Sequence, residues 1–161
     1  MKLLDIQKGD SILDVGCGQG FYSDLITRRG GTVYGVDISQ NMIKEYTRKG
    51  FAGKVIDIVK TPIKEKYDKV LCAGALEFTS DPNKALENIS NSLKFNSLFI
   101  LLFPRLTFAG IAYKAYHLTH GIRITLFSDK LILRLLEQNN METLQFERAT
   151  CFTGVIKARL L

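Results

Sequence analysis

Glycines stand at positions 16, 18 and 20, directly after the strand-like run Ile12 to Val15. Glycine weakens strands and helices alike, so the pattern points to a backbone that something must approach closely, with no Cβ in the way. A helix beginning after such a turn offers unpaired N–H groups to a ligand. A dinucleotide fingerprint would require Gly-x-Gly-x-x-Gly, and the register Gly16, Gly18 places Phe21 where the third glycine belongs. The next run, Val33 to Val36, ends in Asp37. A carboxylate at that point accepts hydrogen bonds from both ribose hydroxyls. The chemistry indicated is the holding of a nucleoside cofactor other than a dinucleotide.

Three further side chains are weak candidates for catalysis. Glu77 lies just past the fourth apolar run, and His117 and His120 stand three apart. Any of them would serve as a general base if the substrate must lose a proton. No third ligand accompanies the histidine pair, so no metal site is expected. Cys17, Cys72 and Cys151 are odd in number and far apart, which argues against a disulfide framework or zinc site and for small apolar core residues.

These residues need elements to hold them. Continuous apolar runs at Ile12 to Val15, Val33 to Val36, Val55 to Ile58, Val70 to Ala73 and Leu98 to Phe103 predict strands covered on both faces. Helical patterns separate them. Phe21 to Arg29 ends in Gly30-Gly31, and Ser39 caps a helix to about Lys49. Asp81-Pro82 reads as an N-cap with proline at the first helical position, ahead of an apolar face of Ala85, Leu86, Ile89 and Leu93. Ser128 caps a further helix whose Leu131, Ile132, Leu135 and Leu136 face inward, and Glu142 to Thr150 and Val155 to Leu161 close the chain as paired strands. Strand-helix alternation predicts a mostly parallel α/β sheet, with ligands at the carboxyl ends of its strands. The glycines fall at such an end.

The 161 residues suit one domain, 1–161. No apolar run reaches the roughly 18 residues of a membrane span, and Met1 to Asp10 lacks a signal-peptide core, so a cytoplasmic protein is expected. The net charge of +6 comes from mixed signs, as in Lys64-Glu65-Lys66-Tyr67-Asp68-Lys69. That pattern is a solvated face rather than a nucleic-acid stripe, although it leaves peripheral membrane contact open.

The stretch ILDVGCGQGFYSDLITRRGGTVYGVDIS resembles the first two motifs of class I S-adenosylmethionine-dependent methyltransferases. The similarity continues through VIDIVKTPIKEKYDKVLCAGALEFTSDPNKALENISNSLK and covers roughly residues 4 to 104. It implies a Rossmann-like, doubly wound, mostly parallel sheet with helices on both faces and an antiparallel C-terminal edge. The cofactor it implies is S-adenosylmethionine. By position, Asp14 would orient the methionine part, above a loop of Gly16, Cys17, Gly18 and Gly20. Asp37 would bind the ribose and Ile38 would cover the adenine. Asp57 would accept from the adenine amino group, with Ile58 beside it, and the Ala73 carbonyl would face the cofactor ammonium.

The chain departs from the family pattern in two places. Only Met1 to Asp10 precede Ser11, where the family usually carries a helix, and Phe95-Asn96-Ser97 replaces a Pro-Gly-Gly type turn. Methyltransferases of nucleic-acid bases often show Asn/Asp-Pro-Pro-aromatic near the fourth strand; Cys72 to Glu77 reads otherwise. The expected partner is therefore a small-molecule acceptor, apolar or lipid-like. Residues 105–121 form a substrate-lid insertion, with Phe108, Ile111, Tyr113, Tyr116 and Leu118 lining an acceptor pocket. The alternative is an S-adenosylmethionine-binding module without its own activity, completed by a partner chain. A homo-oligomer also remains open.

Overall fold

The computed structural model describes residues 2–161. Seven strands form one sheet: β1 (Ser11–Val15), β2 (Thr32–Asp37), β3 (Ala52–Val55), β4 (Tyr67–Ala73), β5 (Leu93–Pro104), β6 (Met141–Arg148) and β7 (Thr153–Leu160). Their order is β3-β2-β1-β4-β5-β7-β6. The first five pair in parallel, and β7 runs antiparallel between β5 and β6. This is the Rossmann-like, doubly wound sheet with an antiparallel C-terminal edge that the sequence implied. The strand order reverses between β1 and β4, so a crevice opens there at the carboxyl ends.

Alternation along each strand sorts the core into two layers. Leu13, Val15, Val70, Cys72, Phe99 and Leu101 share one cluster with Leu86 and Ile89 of α3 (Pro82–Ser90) and Ile132 and Leu136 of α5 (Asp129–Gln138). Ile12, Leu71 and Ile100 point the other way, onto Ile26 of α1 (Phe21–Thr27) and onto Leu4. Tyr46 of α2 (Gln40–Arg48) is fully buried, its ring filling the space left by Gly35 in β2 and Gly53 in β3, which face each other in register. A Cβ on Gly35 would collide with that ring.

The predicted caps are present. Ser39 accepts from the Met42 N–H at 3.4 Å, Asp81 from Lys84 at 3.0 Å, and Ser128 from Leu131 at 3.2 Å. Three expectations need correction. β3 ends at Val55, so the run Val55 to Ile58 mostly follows the strand: Ile56 and Ile58 turn inward from the loop, while the edge strand itself is largely exposed. Leu93 begins β5 rather than extending α3. Leu131 lies on the exposed side of α5. The helix after β5, α4 (Phe108–Thr119), is capped by Thr107 and buries only Gly110. A Cβ on Gly110 would strike the Arg105 carbonyl oxygen.

Candidate functional site

The turn after β1 is tied to β2. The Gly16 and Cys17 N–H groups both donate to the Val36 carbonyl, at 2.7 and 3.1 Å. Gly16 is forced by packing, since a Cβ there would run into that of Ala75. Gly18 differs. It adopts φ +52°, and a Cβ would meet no atom within 4 Å. Its side of the loop is open space, and its N–H donates to Asp37 Oδ2 at 3.0 Å. Asp37 Oδ1 accepts from the Ser39 N–H at 2.8 Å. Gly20 instead abuts the rings of Phe51 and Tyr46. Cys17 is buried in the same cluster, and burial pushes its thiol well above the ordinary range.

A cavity of about 800 Å³ opens at these strand ends. Gly18, Asp37, Ile38, Asp57, Ile58 and Gly74 are among its walls. Ile38 leaves 68% of its surface exposed there, an apolar wall without a partner. Asp57 also shapes its own turn: Oδ1 accepts from the Val59 N–H at 3.0 Å, and Oδ2 lies 3.3 Å from Lys60 Nζ. On the other side of the glycines, a recess of about 690 Å³ is lined by Cys17, Gly20, Tyr22, Lys49 and Ala73. A third cavity, about 170 Å³, adjoins both through shared residues: Ala73 and Tyr22 with the recess, Gly74 with the large cavity. Glu77, Tyr113 and Phe152 are also on its walls.

Two acids are buried near this junction. Asp14 is 2% exposed and sits beneath the loop rather than on a cavity wall. Its Oδ2 accepts from Ser23 Oγ at 2.7 Å, and Ser23 Oγ lies 2.8 Å from Tyr46 Oη. Burial pushes its pKa up to about 6 despite the serine, and the charge of Asp37 adds to the effect. Glu77, in a single 3-10 turn at Leu76–Phe78, is 4% exposed. Its Oε2 is buried and has no hydrogen-bond partner among the described residues. Burial raises its pKa to about 7.

The histidines stand elsewhere. His117 packs its ring against Tyr113, 4.5 Å between centroids, and Phe78, 5.9 Å. His120 is exposed, with Nδ1 2.9 Å from the Tyr116 carbonyl oxygen. Of the five residues expected to line an acceptor pocket, Tyr113 alone is on the small cavity; Phe108 is 94% exposed and Ile111, Tyr116 and Leu118 also face outward. An all-round apolar helix gives no sequence signal for which side is buried. Tyr22, Tyr46 and Phe152 were not anticipated. Gly35 and Gly53 carried a signal for Tyr46, because glycine inside a strand marks a close approach.

A profile of the family described as Methyltransferase domain matches residues 13–101, more than half of the chain. The chain belongs to the methyltransferase-domain family. Among relatives of this methyltransferase domain is the ubiquinone biosynthesis O-methyltransferase of Coxiella burnetii, 30% identical over 95 residues, 54% of this chain and 40% of that protein. The tRNA U34 carboxymethyltransferase of Campylobacter hominis is 27% identical over 129 residues, covering 68% and 45%. The chain thus spans less than half the length of these curated relatives. Among solved structures, magnesium protoporphyrin IX methyltransferase of Synechocystis PCC 6803 with bound SAH (S-adenosylhomocysteine) superposes with TM-score 0.79 at 22% identity, covering 96% of this chain and 75% of that one. The methyltransferase in complex with the Haloferax volcanii Trm112 activator gives 0.85 at 16%, covering 98% and 87%. At such identities the likeness establishes the fold, which is that of the S-adenosylmethionine-dependent class. Among the described residues, no helix of this methyltransferase domain is long and apolar enough to cross a membrane.

Proposed function

We propose that the chain binds S-adenosylmethionine and transfers its methyl group to a small, apolar or lipid-like acceptor. One observation carries the reading: the open side of Gly18, the Asp37 carboxylate and the bare Ile38 wall share one cavity at the switch point. The chemistry of the surroundings fits this cofactor. Asp37 and Asp57 stand on the wall of the large cavity, Asp14 lies beneath the loop, and among the described residues Lys60, already beside Asp57, is the one cation on that wall. A carboxylate-rich, cation-poor site suits a ligand carrying positive charge on sulfur and nitrogen.

Asp37 keeps acceptor capacity beyond its two backbone partners and takes the ribose hydroxyls, and Ile38 and Ile58 flank the adenine. Asp57 accepts from the adenine amino group. Gly16, Cys17, Gly18 and Gly20 form the loop beneath the methionine part, whose ammonium meets the Ala73 carbonyl. Asp14 acts from below, fixing that loop through Ser23 and contributing negative potential. Bound S-adenosylmethionine supplies a methyl carbon made electrophilic by its sulfonium. The protein's task is then largely positioning, because in-line displacement needs reacting atoms held close and aligned. Residues 105–121 act as a lid over the acceptor.

A second reading is a cofactor-binding module completed by a partner chain. It is favoured by α4, whose Phe108, Ile111 and Leu118 leave an apolar stripe uncovered. Calorimetric titration with S-adenosylhomocysteine and NAD, followed by a radiolabelled methyl-transfer screen over quinones, isoprenoids, phenols and amines, tests both. Binding of S-adenosylhomocysteine but not NAD is expected, and Gly18→Val should abolish it in a protein whose circular dichroism is unchanged. Tight binding by folded Gly18→Val would remove the loop from the site.

A further inference from the structure

The 170 Å³ cavity between β4, β7, α1 and α4 holds a buried carboxyl with an empty hydrogen-bonding position. Such a group is costly unless something satisfies it. Glu77 Oε2 has no partner among the described residues, although its backbone carbonyl accepts from the Thr125 N–H at 2.8 Å. The side chain lies over Gly74, with Oε1 3.8 Å from where a Cβ on that glycine would stand. Gly74 is the residue this cavity shares with the large one. Ala73 and Tyr22 are shared with the recess, so Glu77's unpartnered oxygen lies on a cavity that adjoins both spaces given above to the cofactor.

Four aromatic side chains are among the remaining walls. Tyr113 and Phe152 stack with centroids 5.0 Å apart and planes inclined by 28°. Tyr22, Phe103 and Pro104 line the same space. A cavity of roughly 150 Å³ accommodates one benzene ring, so this one suits a single substituted ring. Among the described residues, no lysine or arginine is on its walls. The titratable groups around Glu77 are Tyr22 on α1, Tyr113 on α4 and Cys72 on β4, with His117 one turn beyond Tyr113. None of the first three supplies positive charge that would satisfy the carboxylate.

We infer that this cavity takes a monocyclic aromatic acceptor bearing a hydroxyl group, and that Glu77 Oε2 receives the hydroxyl proton. The inference rests on the cofactor reading above. A hydroxyl is the donor that fits, because a neutral O–H gives up its hydration among aromatic rings far more cheaply than an ammonium does. In the transfer, the hydroxyl oxygen bonds to the methyl carbon, and the carbon–sulfur bond breaks with its electron pair left on sulfur. The O–H proton passes to the Glu77 carboxylate and leaves to solvent when the ether product departs. Charges balance: the positive sulfonium becomes a neutral thioether, and the carboxylate becomes a neutral acid. Glu77 is thus a catalytic residue that touches the acceptor, while Tyr113 and Phe152 set the plane of its ring.

The test uses the whole chain with catechol as probe and 1,2-dimethoxybenzene as the same shape without donors. Calorimetry is run at pH 7.5 with S-adenosylhomocysteine present, on wild type and Glu77→Gln. Catechol should bind at least about tenfold tighter than dimethoxybenzene, and Glu77→Gln should remove most of that difference. S-adenosylhomocysteine affinity should be the same in both proteins. Independently of any variant's folding, infrared difference spectra of the wild type at pH 6 should show a protonated carboxyl band that shifts when catechol is added. Equal binding of catechol and dimethoxybenzene by the wild type, an unmoved carboxyl band, or tighter binding of benzylamine would each overturn the inference while leaving the cofactor reading intact. Failure of S-adenosylhomocysteine to bind wild type would overturn both.

Discussion

Asp14 and Glu77 are acids that the fold keeps out of water, yet they are treated differently by their neighbours. Asp14 is given a hydroxyl by Ser23, and Glu77 Oε2 is given nothing. That difference separates a residue tied to the start of α1 from one proposed to meet a ligand. It also has a consequence for stability. Below about pH 4 the Glu77 carboxyl is protonated in folded and unfolded chains alike and has no effect. From 4.5 to about 7 the unfolded chain ionises while the folded one keeps its proton, so the folded state loses stability as pH rises. Above about 7 the loss is complete, and a shift of that size corresponds to about 3 kcal/mol. Glu77→Gln is therefore expected to raise stability by an amount approaching about 3 kcal/mol at pH 8 and to leave it unchanged at pH 4. Urea melts at the two pH values check this; an equal effect at both would mean the carboxyl is not held protonated by burial. Asp37 makes the complementary case. It already holds Gly18 and Ser39 through one oxygen each, so Asp37→Ala removes both the proposed ribose acceptor and the brace of the loop. S-adenosylhomocysteine should bind about 1 to 3 kcal/mol more weakly by calorimetry. Unchanged affinity in the folded variant would take Asp37 out of the ribose site.

At the scale of elements, local chemistry was legible and tertiary choice was not. Asp81-Pro82 and Ser128 announce helix starts because a cap satisfies N–H groups within three residues of itself. The turn after β1 and Asp37 could be read together because one strand-helix-strand unit encodes both. β3 was displaced by three residues because, at the sheet edge, burial belongs to the following loop, where Ile56 and Ile58 meet the core. Glu77's missing partner was invisible because its surroundings come from Tyr22, Tyr113 and Phe152, which lie far apart in the chain. The direction of α4 was invisible for a different reason. Its sequence is apolar on nearly every side, and the buried side is marked only by a small feature, the close approach of Gly110 to the Arg105 carbonyl. With Phe108, Ile111 and Leu118 uncovered, α4 is attached by few apolar contacts, the mark of a segment that opens locally. Amides of residues 108–121 are expected to exchange faster than those of β4 and β5 in the free protein, and to slow when S-adenosylhomocysteine and an acceptor are present. Protection equal to the central strands in the free protein would make α4 a plain core helix and remove its role as a lid.

Across the whole molecule, the two ends of the sheet do different work. The carboxyl ends carry the glycine turn, Asp37 and Glu77, with open cavities and an unsatisfied group. At the opposite end, polar groups are paired. Ser11 donates to Asp68 from both its N–H, at 2.9 Å, and its hydroxyl, and Asp68 also meets Lys94 Nζ at 2.7 Å. Lys69, 7% exposed, extends from β4 to Asp10 Oδ2 at 2.7 Å and also donates to the Asp5 carbonyl. These contacts fasten the segment before β1 to the bottom of β4, and they lie away from every cavity wall assigned to ligand. The division predicts that stability and binding separate on mutation. Lys69→Met keeps the aliphatic stem packed and removes the charge, leaving Asp10 with the Gln7 N–H and the Asp5 carbonyl with the Gln7 side-chain amide but neither with a cation. Breaking a fully buried ion pair from one side costs about 3 to 5 kcal/mol. Asp10 retains some access to water, its side chain being 16% exposed, so a loss of about 2 kcal/mol is expected. Sites that share no partner combine independently, so S-adenosylhomocysteine affinity below the melting transition should match wild type. Urea unfolding at pH 7 paired with calorimetry reads both quantities. A variant as stable as wild type would show that the clasp contributes no net stability, and a stable variant with weakened binding would show that the two ends of the sheet are coupled.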